Sequence, residues 1–342
     1  MTTKSRAQVE ALKLAIESER QRVKSASGTT LRHAFKEPGS TIPREQRLLE
    51  GHLGKIYALH WSGNGHNIVS ASQDGKIIIW NSQTTKLYLG PAHSSWVMTC
   101  AFEQQRNEMV ACGGLNNLCY IYRTDHGQVM RAMSELAGHD AYLSCCRFVD
   151  ECSILTTSGD SVSILWDIEQ DESIMRFVDH TGDVMSVALD PNSPRLFVTG
   201  SCDSTAKLWD SRVPGLPLMT FTGHDSDINS VAFFPDGKTV GTGSDDSTCR
   251  IFDLRCTMSI NIFRSAKIVC GITSVDFSRS GRILFAGCGD FKTHCWDVTS
   301  IGQLQQHWTL TGHSNRISCL GVSPTGEALC TGSWDTLLKV WC

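Results

Sequence analysis

Near the end of the chain the sequence reads Gly332-Ser333-Trp334-Asp335, and Trp341 follows the aspartate by six residues. The same spacing from a turn residue to an aromatic residue recurs through the chain. The earlier pairs are Asp74 and Trp80, Asn116 and Tyr122, Asp160 and Trp166, Asp203 and Trp209, Asp246 and Phe252, and Asp290 and Trp296. Successive aromatic residues are about 43 residues apart, a period typical of four-stranded propeller blades. These landmarks predict an all-β, seven-bladed β-propeller.

Each repeat carries further signals in a constant order. It opens with a histidine, continues with an alternating strand such as residues 56–61, and turns at a motif such as Pro235-Asp236-Gly237. A second strand ends in Ser-x-Asp, and a third ends at the aromatic residue. Too few residues follow Trp341 to form an outer strand for the last blade. We therefore expect a strand near residues 46–50 to take that place and close the ring.

The N-terminal segment differs from the repeats. Residues 4–24 contain no Gly or Pro, and a heptad seam interrupted at Glu19 runs through Val9, Leu12, Ile16 and Val23. A stripe of this kind on a charged helix favours a coiled coil with another chain, and packing against its own propeller is the alternative. We predict a coiled-coil helix in residues 1–25, a linker in 26–45 and the propeller in 46–342.

Composition and motif searches exclude several classes of function. The net charge of −4 offers no electrostatic basis for binding nucleic acid or an anionic membrane directly. The 15 cysteines include no C-x-x-C motif, which favours reduced thiols in a cytosolic protein. Neither a P-loop nor a G-x-G-x-x-G, H-E-x-x-H or zinc-ligand spacing is found. We expect no enzymatic activity, no cofactor and no metal.

The fourth residue after each opening histidine is apolar, which predicts that this column faces the core. Because side chains alternate along a strand, the third and fifth residues point away from this core. They lie at the loop end of the innermost strand. The residue before the turn aspartate lies at the same end. Together these columns predict a rim surface around the central channel, consisting of Lys55, Tyr57, Trp96, Met98, Leu115, Tyr142, Asp183, Met185, Asp227, Asn229, Asp245 and Trp334. Tyr, Trp and Met among charges are typical of a protein-binding hot spot.

The repeats resemble the WD-repeat family, in which the opening His, a Ser or Thr, the turn Asp and the Trp form a buried hydrogen-bond relay. The resemblance implies structural tetrads at His52, Ser72, Asp74 and Trp80; His139, Ser158, Asp160 and Trp166; His180, Ser201, Asp203 and Trp209; and His313, Ser333, Asp335 and Trp341. Repeat two has Asn116 and Tyr122 instead, repeat five has Phe252, and repeat six lacks the His and has Cys288. A hydrolase triad is disfavoured because the trio recurs, whereas a catalytic site is a single asymmetric constellation.

Specific motifs carry a closer resemblance over nearly the whole chain. Gly51-His-Leu-Gly-Lys-Ile-Tyr57, Ser94-Ser-Trp-Val-Met-Thr-Cys100 and Gly332-Ser-Trp-Asp335 resemble the beta subunits of heterotrimeric G proteins. The resemblance implies a gamma subunit on the N-terminal helix. It also implies that the rim surface is shared by the alpha subunit and effectors, with GDP-bound alpha covering it until GTP exchange.

The same resemblance implies attachment to the cytoplasmic face of the plasma membrane through a lipidated gamma subunit. The alternative is a generic WD40 scaffold or substrate-receptor adaptor. A heptad helix that binds another chain distinguishes the G protein beta subunit from the generic scaffold, because a generic scaffold does not need one.

Overall fold

Seven four-stranded antiparallel sheets make up the computed structural model of the chain, so the predicted all-β, seven-bladed propeller is confirmed. The structure describes residues 43–84, 87–93, 95–125, 128–265, 268–299 and 307–342. The predicted coiled-coil helix, with Val9, Leu12, Ile16 and Val23, and nearly all of the predicted linker lie outside these residues. Among the residues that the structure describes, none belongs to a helix long and apolar enough to cross a membrane.

Each blade uses four consecutive strands, numbered from the channel outward, except the last. Blade one comprises β2 (Ile56–Trp61), β3 (Asn67–Ser72), β4 (Lys76–Asn81) and β5 (Leu87–Ala92). Blade two comprises β6 (Val97–Phe102), β7 (Met109–Gly114), β8 (Leu118–Asp125) and β9 (Gln128–Ala137). Blade three comprises β10 (Leu143–Phe148), β11 (Ser153–Ser158), β12 (Val162–Asp167) and β13 (Glu172–Val178). Blade four comprises β14 (Val184–Leu189), β15 (Leu196–Ser201), β16 (Ala206–Asp210) and β17 (Met219–Phe221).

The remaining blades follow the same plan. Blade five comprises β18 (Ile228–Phe233), β19 (Thr239–Ser244), β20 (Cys249–Asp253) and β21 (Ser259–Phe263). Blade six comprises β22 (Ile272–Phe277), β23 (Ile283–Cys288), β24 (Lys292–Asp297) and β25 (His307–Thr311). Blade seven comprises β26 (Ile317–Val322), β27 (Leu329–Ser333) and β28 (Leu337–Trp341), with β1 (Glu45–Glu50) as its outer strand.

Strand β1 closes the ring from the N-terminal side. It pairs antiparallel with β28, Leu48 facing Lys339 across the ladder. Leu49 is buried in the cluster between blades seven and one, and Lys339 Nζ lies 2.7 Å from Glu45 Oε2. The inner strands of consecutive blades contact one another, and β26 contacts β2. Closure therefore pairs the sheet edge that blade seven would otherwise expose.

The turn between the second and third strands has one conformation in every blade. The residue after the turn Asp or Asn adopts a positive φ throughout, at Gly75, Asn117, Ser161, Ser204, Ser247, Phe291 and Thr336. In blade one its amide donates to Ser72 O, and the next amide, of Lys76, donates to Asp74 Oδ1. A left-handed residue closes such a hairpin, which explains the preference for Gly, Asn and Ser there. Phe291 is the bulky exception.

The core lies between neighbouring sheets. The fourth-position residues Ile56, Val97, Leu143, Val184, Ile228 and Ile317 are all at most 2% exposed. The column is therefore the core-facing one, as the sequence predicts. Because this column faces the adjoining blade, the residues on either side of it are left to form the rim.

Candidate functional site

A buried relay connects the loop that opens blade one to its turn and its third strand. His52 Nδ1 donates to Asp74 Oδ2 at 3.1 Å, and the Leu53 amide donates to the same oxygen at 2.9 Å. A carboxylate only accepts, so Nδ1 carries the proton, and Nε2 accepts from the hydroxyl of Ser70 at 2.7 Å. Trp80 Nε1 donates to that hydroxyl oxygen at 2.8 Å. The relay leaves every ring nitrogen paired.

The relay recurs with threonine as the hydroxyl group. Its members are His139, Asp160, Thr156 and Trp166 in blade three, His180, Asp203, Thr199 and Trp209 in blade four, and His313, Asp335, Thr331 and Trp341 in blade seven. Blade five keeps His224, Asp246 and Thr242 but has Phe252, which has no indole N–H. The relay thus joins the opening loop to the turn in blades one, three, four, five and seven.

The hydroxyl members predicted from the sequence, Ser72, Ser158, Ser201 and Ser333, are wrong. The hydroxyl belongs to the residue two positions earlier in each strand. Trp80 faces Ile68 across the ladder, so Ser70 is its diagonal neighbour. Ser72 lies four residues from Ile68, about 13 Å along the strand and beyond the reach of the indole.

The predicted serines instead form hydrogen bonds with backbone groups at the turn and the opening loop. The Asp74 amide donates to Ser72 Oγ at 3.3 Å. Ser158 Oγ donates to Ala141 O at 3.1 Å, and Ser201 Oγ donates to Gly182 O at 3.0 Å. Ser333 Oγ makes the same bond to Asn315 O. These hydroxyls hold the opening loop against the turn.

The relay carboxylates are held ionised. Burial alone would raise the pKa of Asp74, but hydrogen bonds from His52 and the Leu53 amide lower it to about 2. The pKa values of Asp160, Asp203, Asp246 and Asp335 are lowered for the same reason. Burial lowers the pKa of His139. A neutral histidine between an ionised carboxylate and a hydroxyl is a satisfied buried group.

At the rim, the fifth-position residue of every inner strand lies in a β-bulge. The antiparallel register between the first and second strands shifts there in all seven blades. The bulged residues are Tyr57, Met98, Ser144, Met185, Asn229, Thr273 and Ser318. A bulge leaves one residue unpaired and redirects its side chain. The bulge directs this column toward the mouth of the channel. No sequence pattern predicts the bulge.

The bulged residues are of two kinds. Ser144, Asn229, Thr273 and Ser318 donate to the carbonyls of Val184, Ile272, Ile317 and Ile56, the fourth-position residues of the next blade. Tyr57, Met98 and Met185 occupy the other bulges with aromatic or thioether side chains. The polar members connect neighbouring blades, and the apolar members present contact surface at the channel mouth.

Backbone hydrogen bonds join the other two columns of the rim. The amide of the residue before the turn Asp or Asn donates to the carbonyl of the third-position residue in every blade. The pairs are Gln73 and Lys55, Leu115 and Trp96, Gly159 and Tyr142, Cys202 and Asp183, Asp245 and Asp227, Gly289 and Gly271, and Trp334 and Arg316. The three columns therefore meet at one end of the propeller, as their positions in the repeat predict.

Aromatic and cationic groups cluster where blades seven, one and two meet. The Tyr57 ring stacks on Trp96 with centroids 6.0 Å apart and meets Trp334 edge-on at 6.5 Å. Lys55 Nζ lies 4.2 Å from the centre of the Trp334 ring, and Arg316 Cζ lies 5.2 Å from it. Cation–π contacts of this length hold a ring in place without covering it. Trp96 is 43% exposed and Leu115 45% exposed, so this part of the rim presents apolar surface to solvent.

Acidic groups dominate the rim of blades four and five. Tyr142 donates to Asp183 Oδ2 at 2.8 Å and lies 3.6 Å from Met185 Sδ. Burial, followed by the bond to Asp183, raises the pKa of Tyr142, so the phenol stays a donor. Asn229 donates to Asp245 Oδ1 at 2.7 Å. The rim thus has a basic, aromatic part and an acidic part.

The charge of the acidic part also acts on a neighbouring thiol. Burial, together with the hydrogen bond to Asp227, raises the pKa of Cys202 to about 12. The stacking, cation–π and hydrogen-bond contacts of the rim together place the predicted rim residues on one face.

Three further residues belong to this face and are missing from the predicted rim surface. Arg316 lies in the third-position column, and this position in the repeat could have identified it as a rim residue. Leu53 and Val269 follow the opening position of their blades and are 83% and 91% exposed. No alternation rule applies to a loop, so the sequence gives no signal for them.

The central channel contains a cavity of about 520 Å³ below the rim. Its titratable side chains include His60 and Asp276. His60 Nδ1 accepts from the Phe102 amide at 3.0 Å, and Asp276 Oδ2 accepts from the Val322 amide at 2.7 Å. Burial lowers the pKa of His60 and raises that of Asp276 to about 6. His60 and Asp276 each accept a hydrogen bond from a backbone amide of the next blade.

Comparison with known proteins agrees with this architecture. A sequence profile of the family described as G protein beta WD-40 repeat protein matches residues 2–342. The chain is 43% identical over 316 residues to a guanine nucleotide-binding protein subunit beta of Solanum tuberosum, covering 86% of this chain and 82% of the relative. It is 43% identical over 312 residues to the Arabidopsis thaliana protein of the same name, with the same coverage. The chain therefore belongs to the G protein beta-subunit family of WD-repeat proteins.

Proposed function

We propose that this beta subunit binds the GDP-bound alpha subunit of a heterotrimeric G protein on its rim surface and releases it on GTP exchange. The observation that carries the proposal is the cluster of Tyr57, Trp96 and Trp334, with Lys55 over the indole of Trp334 and Trp96 exposed to solvent. Aromatic anchors at the centre of a patch, bordered by charges, supply most of the binding energy in protein interfaces. Such a cluster calls for a protein partner of substantial surface.

The two parts of the rim indicate the chemistry of the partner. The part around Lys55 and Arg316 favours acidic and aliphatic side chains, and the part around Asp183, Asp227 and Asp245 favours basic ones. Complementary charge of this kind increases the association rate and selects the orientation of docking. The rim is then free for effectors only when the alpha subunit has left, because both use the same residues.

Residues 1–25 complete the proposal. Their heptad positions bind a gamma subunit as a coiled coil, and a lipid on that subunit holds the dimer at the cytoplasmic face of the plasma membrane. The beta subunit acts in this assembly as a non-catalytic binding protein. Transmembrane receptor signalling then depends on whether the rim is covered.

The test is a binding experiment with the full chain co-expressed with a gamma subunit. An immobilised alpha subunit is loaded with GDP or with a non-hydrolysable GTP analogue, and the dissociation constant is measured for each form. We expect binding to the GDP form to be at least about tenfold tighter. Trp96→Ala is expected to weaken it by about 1–3 kcal/mol.

The matched control is Leu216→Ala. Leu216 is 71% exposed and follows β16, whose direction away from the rim turn places this residue at the opposite end of the blade. Its binding should equal that of the wild type. Equal binding of both nucleotide forms, or equal losses in Trp96→Ala and Leu216→Ala, would favour the generic scaffold instead.

A further inference from the structure

Blade six has lost the relay that blades one, three, four, five and seven keep. Ile268 stands at the position of the opening histidine, and Ala286 at the position of the hydroxyl residue. Ile268 is buried among apolar side chains and cannot bond to the turn aspartate. Asp290, which remains, therefore has a carboxylate without its usual histidine partner. A histidine of the third strand, His294, bonds to it instead.

Two thiols replace the groups that join the opening loop to the turn in this blade. Cys288 stands where blades three, four, five and seven have the serine that bonds to the loop carbonyl. Cys270 stands at the loop position that supplies this carbonyl. Both substitutions therefore fall on neighbouring positions of one blade. The two sulfurs and a carboxylate oxygen of Asp290 all lie within 4.8 Å of one another.

The carboxylate of Asp290 is oriented from outside this group. His294 Nε2 donates to Asp290 Oδ2 at 2.9 Å, and His294 Nδ1 lies 2.8 Å from His307 Nε2. Carboxylates that bind metals are themselves held by hydrogen bonds from outside the site, and His294 supplies such a bond here. Cys288 is buried and Cys270 is partly exposed, so the group has one side toward solvent.

We propose that Cys270, Cys288 and Asp290 bind a zinc ion at the rim of blade six, with water in the fourth position. Thiolate sulfur and carboxylate oxygen are both zinc ligands, and three protein ligands leave the fourth tetrahedral position to water. Each thiol gives up its proton to solvent as its sulfur binds, so no redox partner is needed. The two cysteines lie on separate elements, 18 residues apart in sequence, so no C-x-x-C motif marks them.

The ion would replace the missing relay. Its ligands join the opening loop through Cys270 to the turn through Cys288 and Asp290, as the histidine does elsewhere. The backbone bond between these two segments, from the Gly289 amide to Gly271 O, is 3.3 Å long, and its counterparts in the other blades are 2.8 to 3.2 Å. Phe291, a bulky residue with φ of 71°, closes the same turn. A metal would therefore add a connection between the opening loop and the turn in a blade that lacks the relay.

The experiment uses the full chain with its gamma subunit, purified under reducing conditions, stripped with a chelator and titrated with ZnCl₂. Binding is followed by calorimetry and by metal analysis after gel filtration. Co²⁺ is then added as a spectroscopic substitute, for which thiolate ligands give a charge-transfer band in the near ultraviolet. We expect one zinc per chain, a thiolate–cobalt band, and a melting temperature that zinc raises.

Cys288→Ser is the decisive variant, because it restores the serine of the other blades and so should fold. It is expected to lose stoichiometric zinc, the cobalt band and the zinc-dependent rise in melting temperature. Cys152→Ser removes an exposed thiol elsewhere and should keep all three. His294→Ala should weaken zinc binding by about tenfold.

Three results would overturn the proposal. The first is the absence of stoichiometric zinc in the wild type, and the second is equal binding by Cys288→Ser. The third is a Cys270–Cys288 disulfide that persists in the protein purified under reducing conditions.

Discussion

Lys55 Nζ lies 4.2 Å from the centre of the Trp334 indole ring, so the largest side chain of the blade-seven rim is held by a cation from blade one. Among the described residues, the indole N–H of Trp334 has no hydrogen-bond partner. The ring is positioned instead by Lys55, Arg316 and the edge of Tyr57. The relationship connects the first and last blades, and the unpaired N–H is itself buried beneath the ring's neighbours.

Trp334→Ala is expected to weaken binding of the GDP-bound alpha subunit by about 1–3 kcal/mol, because it removes the ring on which the cluster is built. The melting temperature should change little, since the ring is outside the inter-blade core. Calorimetric binding and thermal melting measure the two effects. Asp203→Ala is the counterpart, expected to lower the melting temperature by leaving Nδ1 of the buried His180 without its carboxylate partner. A larger drop for Trp334→Ala would contradict the assignment of these residues to rim and core.

The relay hydroxyl can be tested in blade four. Thr199→Val leaves both His180 Nε2 and Trp209 Nε1 without a partner inside the protein, and we expect a loss of about 1–3 kcal/mol in unfolding free energy. Ser201→Ala removes bonds of 3.0 and 3.2 Å to backbone groups at the loop and should cost less. Urea unfolding of both variants provides the comparison. If Ser201→Ala lost more unfolding free energy than Thr199→Val, Ser201 would be the relay hydroxyl instead.

The two kinds of bulged residue should respond differently to truncation. Asn229→Ala loses the bond to Ile272 O in the next blade, so we expect a lower melting temperature as well as weaker alpha binding. Met185→Ala should weaken binding and change stability less, because its side chain makes no such tie to the backbone. Melting curves and dissociation constants separate the two. If both variants melted at the same temperature, the division of the bulged column would be wrong.

Stability should fall as the solution is acidified. The folded pKa of Asp74 is about 2, below its ordinary value of 3.8, so the unfolded chain takes up the proton first. Its contribution is complete above about pH 4 and is lost as pH falls toward 2. The lowered pKa of His139 adds a loss that begins near its ordinary value of 6.5. The raised pKa of Asp276 acts in the opposite direction between about pH 6 and its ordinary value of 3.8, but the lowered carboxylate pKa values outnumber it. The urea midpoint should therefore be lower at pH 3 than at pH 7, and a constant midpoint would contradict the prediction.

Ring closure can be tested at Leu49, which is 1% exposed in the cluster between blades seven and one. Leu49→Ala should reduce unfolding free energy by about 2–5 kcal/mol, the usual cost of truncating a buried leucine. Leu48→Ala is the matched control on the same strand, because Leu48 is 43% exposed. Denaturant unfolding should separate these neighbours clearly. Equal losses would show that β1 does not bury this face.

The architecture was predictable because it repeats. A turn aspartate and an aromatic residue at a constant spacing identify seven blades, and the apolar fourth position identifies the core-facing column. The rim residues follow by exclusion, so the repeat pattern alone is enough to select Lys55, Tyr57, Trp96 and Trp334. The hydroxyl of the relay could not be chosen this way, because Ser72 and Ser70 both lie on one face of a strand and only the reach of the Trp80 indole separates them.

The amino-acid sequence alone therefore determined the number of blades, the closure by an N-terminal strand and the composition of the rim, since each depends on periodicity along the chain. Only the tertiary structure decided which hydroxyl joins each relay, that a bulge redirects every fifth residue, and that Cys270, Cys288 and Asp290 meet in blade six. The physical reason is that these features depend on distances between strands. Spacing along a single strand does not specify such distances.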